Sequence, residues 1–307
     1  MDIKSSAGSP KWDTITTLLR DGFVLVFNQD KLDIVRTAEA LIRAGVNNME
    51  VTCRISKPLE KLARLRKELP DFAAGAASLI DAPAMLDVYN RANPQDPLPS
   101  VQQVVDAGAC YLVSAVGFRD RSYRQFGGRY IMMPGCGSAA EVVDQFSKGA
   151  NLCKVFPAEQ LGGPAFVKAI DAPLHKIISL VPTGGTNPSN IPDYIDAGVL
   201  VLGGSFSMID KATMKKIIDE QDYELLAKEF TAVKHLIDAL RAEKYPRTNL
   251  PALDEIESRK REWAPPGPAP RKRADWWRGA SVEEISRATG RNFNLQDGKG
   301  HIAFTFT

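Results

Sequence analysis

From about residue 23 to about residue 220 the chain alternates between short apolar, β-rich runs and stretches with helical spacing. The runs read FVLVF, NMEVTC, AAGAAS, CYLVSA, YIMMPG, LCKVFP, KIISLVP and VLVLGGS. Between them apolar residues recur on one helical face, as at Ile34, Ala38, Leu41 and Ile42, or at Val142, Val143 and Phe146. Roughly eight strand–helix units of this kind predict the α/β class, a (β/α)8 TIM barrel of parallel strands. A doubly wound open sheet is the rival, but it would need a switch-point crevice, and no glycine-rich dinucleotide fingerprint follows the first run.

Two segments break the rhythm. Asn90 to Ser100 (NRANPQDPLPS) holds three prolines and reads as a loop inserted after the third strand. Residues 245–275 form a linker rich in proline and charge, SRKREWAPPGPAPRKR at its centre, which predicts an extended or mobile segment. The expected organisation is therefore a barrel over 1–244, the linker, and a small C-terminal extension over 276–307. In that appendage Ser281-Val-Glu-Glu284 reads as a capping box opening a short helix that Gly290 closes. Asp297-Gly298 then reads as a turn, with Ile302, Phe304 and Phe306 alternating in a hairpin strand. A unit this small buries too little surface to stand alone. Trp276, Trp277, Ile302 and Phe304 are expected to dock on the barrel or on a neighbouring subunit.

Composition adds exclusions. The 307 residues, 44% hydrophobic and 25% charged, can bury an ample core, and a net charge of +2 points to no polyanionic partner such as nucleic acid. No apolar run approaches the roughly 20 residues needed to cross a bilayer, and the start, MDIKSSAGSPKWD, has no secretory hydrophobic region. A cytoplasmic protein without a membrane partner is expected. Cys53, Cys110, Cys136 and Cys153 fall in predicted strands without CxxC spacing, which favours buried free thiols over disulfides or a metal site.

Within this frame one residue stands out chemically. Lys154 is a lone cation in the apolar run Leu152-Cys153-Lys154-Val155-Phe156-Pro157. A dry site disfavours an ammonium relative to the neutral amine, and a neutral amine can attack a carbonyl to form a Schiff base. A side chain snorkelling to solvent explains the same residue, so this segment alone leaves both readings open. In MEVTCR, alternation puts Glu50, Thr52 and Arg54 on one face. A carboxylate beside a Schiff-base lysine can shuttle protons, and an arginine can grip a keto-acid carboxylate in bidentate fashion. An ordinary salt bridge at a strand end accounts for Glu50 and Arg54 as well. Pro182-Thr183-Gly184-Gly185-Thr186 follows the seventh run and Gly203-Gly204-Ser205 the eighth. Barrels commonly bind phosphate there through backbone N–H groups, and although either glycine pair alone needs only a tight turn, the two together favour an anion site.

Taken in order, EVTCR, LCKVFPAE followed by Gly162-Gly163, PTGGT and GGS resemble the 2-keto-3-deoxy-6-phosphogluconate (KDPG) aldolase and 4-hydroxy-2-oxoglutarate aldolase family, over roughly residues 15 to 220. The resemblance implies a class I aldolase barrel, a homo-oligomer and typically a trimer, that cleaves a 4-hydroxy-2-keto acid to pyruvate and an aldehyde. It needs no metal and no cofactor. Carried over by motif, Lys154 is the Schiff-base residue, Glu50 the general acid/base and Arg54 a ligand of the pyruvyl carboxylate. Thr183, Gly184, Gly185, Gly204 and Ser205 match positions lining the distal, phosphate-binding end, and Pro134 with Gly135 matches the PG after the fifth strand. Ser78, in Gly75-Ala-Ala-Ser78, stands where the family usually has the threonine of GAGT and keeps a hydroxyl donor.

Two further departures alter the expected pocket. Ser114-Ala115-Val116-Gly117 replaces the family's SPG after the fourth strand, and Phe27-Asn28-Gln29 lacks the arginine that many members aim at the phosphate. The implied reaction is cleavage of a KDPG-like acid to pyruvate and glyceraldehyde 3-phosphate, a step of Entner–Doudoroff carbohydrate breakdown. The alternatives are an aldolase for 4-hydroxy-2-oxoglutarate or another unphosphorylated 2-keto-3-deoxy acid, and a catalytically silent barrel retained as a scaffold. A metal-dependent enzyme is disfavoured because His175, His235 and His301 lie away from the predicted strand ends.

Overall fold

Successive residues of a strand face opposite ways, and here the two faces serve two separate cores. The computed structural model of the chain describes residues 10–246, 276–291, 293, 295–296 and 301–302. Nine short strands form a curled parallel sheet: β1 (Phe23–Phe27), β2 (Asn48–Thr52), β3 (Ala73–Ala77), β4 (Tyr111–Val113), β5 (Ile131–Met133), β6 (Gly135–Cys136), β7 (Cys153–Val155), β8 (Leu180–Pro182) and β9 (Leu202–Gly204). They hydrogen-bond in the order β5-β4-β3-β2-β1-β9 and, as a second group, β6-β7-β8. Pro134 lies between β5 and β6, so the single fifth run of the sequence becomes two pieces; a proline has no N–H for the ladder. Because the last strand pairs with the first, Val24 opposite Gly203, the sheet curls back on itself. Side chains of alternate residues, among them Leu25, Met49, Val51, Leu112, Met132 and Val155, pack outward into the core shared with the helices. The others, including Val24, Ala77, Tyr111, Val113, Leu152 and Val201, fill the interior.

The base of this interior is closed by α1 (Pro10–Asp21), which buries Ile15, Leu18 and Leu19, and by part of the C-terminal extension. Trp276 and Trp277 are stacked with centroids 4.4 Å apart. Trp277 is fully buried, and the Arg241 guanidinium lies 3.6 Å above its ring. Two polar ties hold the segment down: Arg20 Nε donates to the Ala280 carbonyl at 2.7 Å, and the buried Arg291 grips Asp171 with both terminal nitrogens at 3.1 and 2.9 Å. Loss of a buried tryptophan ordinarily costs roughly 3–5 kcal/mol, so this small unit is held by the surface it covers.

Ser281 and Glu284 do form a capping box on the helix Val282–Thr289, closed by Gly290 at φ 63°. Beyond it the backbones of Leu295–Gln296 and His301–Ile302 pair antiparallel. The linker from 247, the Asp297-Gly298 turn, Phe304, Phe306 and the side chain of Ile302 lie outside the described residues.

The inserted segment begins later than the sequence reading has it. Asn90 to Ala92 close the helix Pro83–Ala92, and only residues 93–99 are loop. The helix stops at Asn93 because the residue before a proline, here Pro94, is pushed out of the helical region. Asn90 braces the loop from inside the helix, its side chain bonding both the Leu98 carbonyl (3.1 Å) and the Leu98 N–H (2.8 Å). Two expected apolar helix positions also face water, Ile42 at 40% and Val143 at 50% exposure. Cys53 and Cys110 lie just outside β2 and β4 rather than within them, although all four cysteines are free thiols. Among the described residues no helix is long and apolar enough to cross a membrane.

Candidate active site

Lys154 occupies the middle of β7 and Glu50 the middle of β2, strands on opposite sides of the curled sheet. Both alternate inward, and they meet: Lys154 Nζ donates to Glu50 Oε1 at 2.8 Å, a contact spanning 104 positions of sequence. Lys154 is 5% exposed and Glu50 2%. Such a pair is stable only as a pair, since deleting one partner of a buried ion pair strands the other charge at a cost of roughly 3–5 kcal/mol. The ammonium also lies 5.6 Å from the centroid of Phe156, an aromatic neighbour that the sequence reading did not single out. Its position two residues after Lys154 was the available signal.

The backbone around Lys154 is fixed by the PG turn of the fifth run. Lys154 N–H donates to the Pro134 carbonyl at 2.8 Å, and Gly135 pairs with Lys154 in register. A Cβ on Gly135 would come within 2.2 Å of the Ala115 carbonyl carbon, so glycine is required where the chain after β4 crosses over it. That crossing loop is itself tied down: Ser114 Oγ donates to the Leu79 carbonyl at 2.7 Å and accepts from Val116 N–H at 3.1 Å. Val116 is 55% exposed above it.

Arg54 departs from its expected place. The alternation carries Glu50 and Thr52 inward, but β2 ends at Thr52, after a last rung from Cys53 N–H to the Ala77 carbonyl. The chain then turns, burying Cys53 and Ile55 and leaving Arg54 on the exposed rim. Its guanidinium pairs with no carboxylate among the described residues. Ser78, half-buried after β3, adopts φ +60°, a left-handed conformation uncommon for serine. Neither Arg54 nor Ser78 bonds to Lys154 or Glu50.

The two glycine-bearing turns come together beyond β8 and β9. Thr183 is buried, and a Cβ on Gly203 would lie 2.1 Å from its Oγ1. Gly184 and Gly185 have φ of 90° and 85°, where side chains are strained. Thr186 Oγ1 donates to the Gly203 carbonyl at 2.6 Å, locking one turn to the other. Gly204 is buried against Met208, and Ser205 caps the short turn Phe206–Met208. Beside them, after β1, stand Asn28, exposed, and Gln29, half-buried. Glu159 reaches the same place, its Oε2 occupying the space a Cβ on Gly185 would take.

A family model described as KDPG and KHG aldolase matches residues 97–228, a span holding Lys154 and both glycine turns. Over 213 residues the chain is 31% identical to the 2-dehydro-3-deoxy-phosphogluconate aldolase of Pseudomonas aeruginosa, covering 68% of this chain and 86% of that one. Over 176 residues it is 34% identical to the Treponema pallidum protein of the same name, covering 57% and 75%. Among solved structures, the KDPG aldolase of Legionella pneumophila, with pyruvate captured at low pH as a covalent carbinolamine intermediate, superposes with a TM-score of 0.58. That likeness has 25% identity and covers 72% of this chain and 97% of the other.

Proposed function

The chain belongs to the KDPG and KHG aldolase family, and from that premise we propose that it is a lyase cleaving a 2-keto-3-deoxy acid through a Schiff base on Lys154. The observation that carries this reading is the buried 2.8 Å contact between Lys154 Nζ and Glu50 Oε1. Glu50 is placed to take a proton from the lysine, freeing its electron pair to attack C2 of the keto acid. Glu50 returns that proton to the carbinolamine hydroxyl, which leaves as water and gives an iminium, with Glu50 again a carboxylate. Glu50 then removes the C4 hydroxyl proton, the C3–C4 bond breaks, and its electrons pass into the C2–C3 enamine, with the aldehyde leaving. Return of the proton to C3 and hydrolysis release pyruvate and restore the amine. The iminium is the electron sink, so no metal or organic cofactor enters the scheme.

Arg54 is assigned to the substrate carboxylate, as a rim cation that pairs with no carboxylate among the described residues, and Ser78 and Pro134 to the walls of the pyruvyl pocket. Gly184, Gly185, Gly204 and Ser205 would receive the far end of the substrate through backbone N–H groups, and Thr183, whose own N–H is bonded to the Val155 carbonyl at 3.0 Å, would line it with its side chain. The curled sheet and the close approach of Gly203 to Thr183 support its closure as an eight-unit barrel. KDPG, yielding glyceraldehyde 3-phosphate, is the substrate the family favours. An unphosphorylated acid is the second reading, supported by the neutral Asn28 and Gln29 and by the Glu159 carboxylate at that end. Coupled pyruvate-release assays across both sets of acids separate the two, and no pyruvate from any of them would leave only the silent scaffold.

Self-association, as a trimer, has support of its own. The helix Pro83–Ala92 buries none of its residues, and Met85 (58% exposed), Val88 (63%) and Tyr89 (38%) share one face of it. A second copy of the chain would cover that stripe. We expect Val88→Asp to lower the sedimenting mass with little change in melting temperature. Truncation after residue 246 should do the reverse, because it uncovers the base of the interior. If truncation instead dissociates the assembly and Val88→Asp does not, the C-terminal extension is the interface.

A further inference from the structure

β1 and β2 are neighbours, with Leu25 opposite Met49, and the chain segments that follow them meet again at the rim. Asp30 makes the tie. Its carboxylate accepts from Ser56 N–H at 3.2 Å to each oxygen, from Ser56 Oγ at 2.7 Å and from Lys61 Nζ at 2.5 Å. Lys61 also donates to the Ser56 carbonyl at 2.8 Å. Ser56 is exposed, yet its N–H, hydroxyl and carbonyl are all engaged. An isolated surface ion pair contributes little. A carboxylate that chelates a backbone N–H together with the hydroxyl of the same residue does more, because charge-assisted bonds from two directions fix the backbone there.

Asp30 itself stands on a stiff segment. Gln29 Oε1 accepts from Lys31 N–H at 3.0 Å. Three residues on, Asp33 accepts from Val35 and Arg36 N–H at 3.0 and 2.9 Å and from Arg64 at 2.5 Å, while its own N–H donates to the Tyr223 hydroxyl at 2.7 Å. The segment after β2 is held less by its own bonds. Ile55 N–H donates to the Thr52 carbonyl at a long 3.3 Å, and Lys57 is left-handed at φ 51° and gives the helix Pro58–Glu68 no side-chain cap. A residue with a side chain keeps that conformation only where its surroundings impose it. Arg54 lies inside this segment, two residues before Ser56. The Thr52–Ile55 turn holds its backbone on one side and the Asp30 chelate on the other.

We propose that Asp30 is a positioning residue for Arg54: by chelating Ser56 it fixes the turn that carries the guanidinium, and so sets the grip on the substrate carboxylate. The inference rests on Arg54 being that ligand. A guanidinium on an anchored turn loses less freedom on binding than one on a loose segment, which is the gain of preorganisation. Electrostatics alone acts the other way. Asp30 is an anion on the rim, so removing it relieves repulsion of an anionic keto acid and frees the Lys61 ammonium. A through-space role therefore lowers the KM for pyruvate in Asp30→Ala, and the positioning role raises it.

In Asp30→Ala the apparent KM for pyruvate, read from methyl proton exchange, should rise about fivefold, part of the about 10- to 100-fold that a hydrogen bond to a charged group is worth. Exchange at saturating pyruvate should stay within about twofold of the parent. Borohydride trapping of acetone on Lys154 should match the parent, since this ketone has no carboxylate to grip. Ser56→Ala removes one bond to Asp30 and no charge, and should raise KM by a smaller factor. In an Arg54→Ala background, Asp30→Ala should raise KM no further. An unchanged or lowered KM in Asp30→Ala, a parallel loss of acetone trapping, or the full rise on top of Arg54→Ala overturns the proposal. The two levels are separable. A parental KM in Arg54→Ala refutes the carboxylate assignment itself, whereas a KM raised there but parental in Asp30→Ala refutes only the positioning role.

Discussion

Borohydride reduction in the presence of pyruvate should fix a pyruvyl group irreversibly on Lys154 of the parent protein, and Lys154→Arg should show no adduct at all. Arginine keeps a positive charge opposite Glu50, so the buried carboxylate is not stranded and the fold is retained. What it lacks is an electron pair, because guanidinium stays protonated throughout the accessible range. Turnover should fall by at least the about 10²–10⁴ that loss of a single acid/base group costs. Mapping the adduct by peptide mass is the decisive measurement. A pyruvyl mass on Lys148 or Lys168, both on the outer helices, would move the nucleophile out of the interior and sink the mechanism.

Glu50→Gln should separate binding from proton transfer. The amide has almost the shape of the carboxylate and can still accept a hydrogen bond from Lys154, but it has no useful affinity for a proton. We expect pyruvate adduct formation to persist at reduced rate, with methyl proton exchange and retro-aldol cleavage each slowed by about 10²–10⁴. Exchange of the methyl protons into deuterated water, followed by NMR, reads this directly. Arg54, in contrast, stands on the rim and touches neither member of the pair, so its replacement should raise the apparent KM and leave exchange at saturating pyruvate nearly intact. Unchanged methyl exchange in Glu50→Gln would assign the base to another group.

Much of this site was legible in one dimension because its signals are local. A lysine inside an apolar run, a carboxylate with strand periodicity and two glycine turns after successive runs are all set by composition over a few residues. The capping box at Ser281 and the stop at Gly290 were equally readable, since capping depends on side chains three positions apart. Arg54 shows where such local signals stop. Alternation extends a strand on paper, but the real strand ends where its partner's hydrogen bonds end, at the Cys53 to Ala77 rung. Asn90 to Ala92 were read as loop because three prolines follow, although a helix can run up to the residue before a proline.

The sequence by itself determined the class of fold, the order of strands and helices, and which side chains could do the chemistry, because period, turn residues and residue type are properties of neighbours along the chain. Only the tertiary structure decided that Lys154 and Glu50, separated by 104 positions, share one buried hydrogen bond. It also decided that Trp277 and Arg291 close the base of the sheet, and that Tyr111 reaches Asn48 across a glycine. The physical reason is common to these cases. Strand curvature, register and the space left by a missing Cβ set which distant side chains meet, and none of them is encoded in the spacing of residues along the chain.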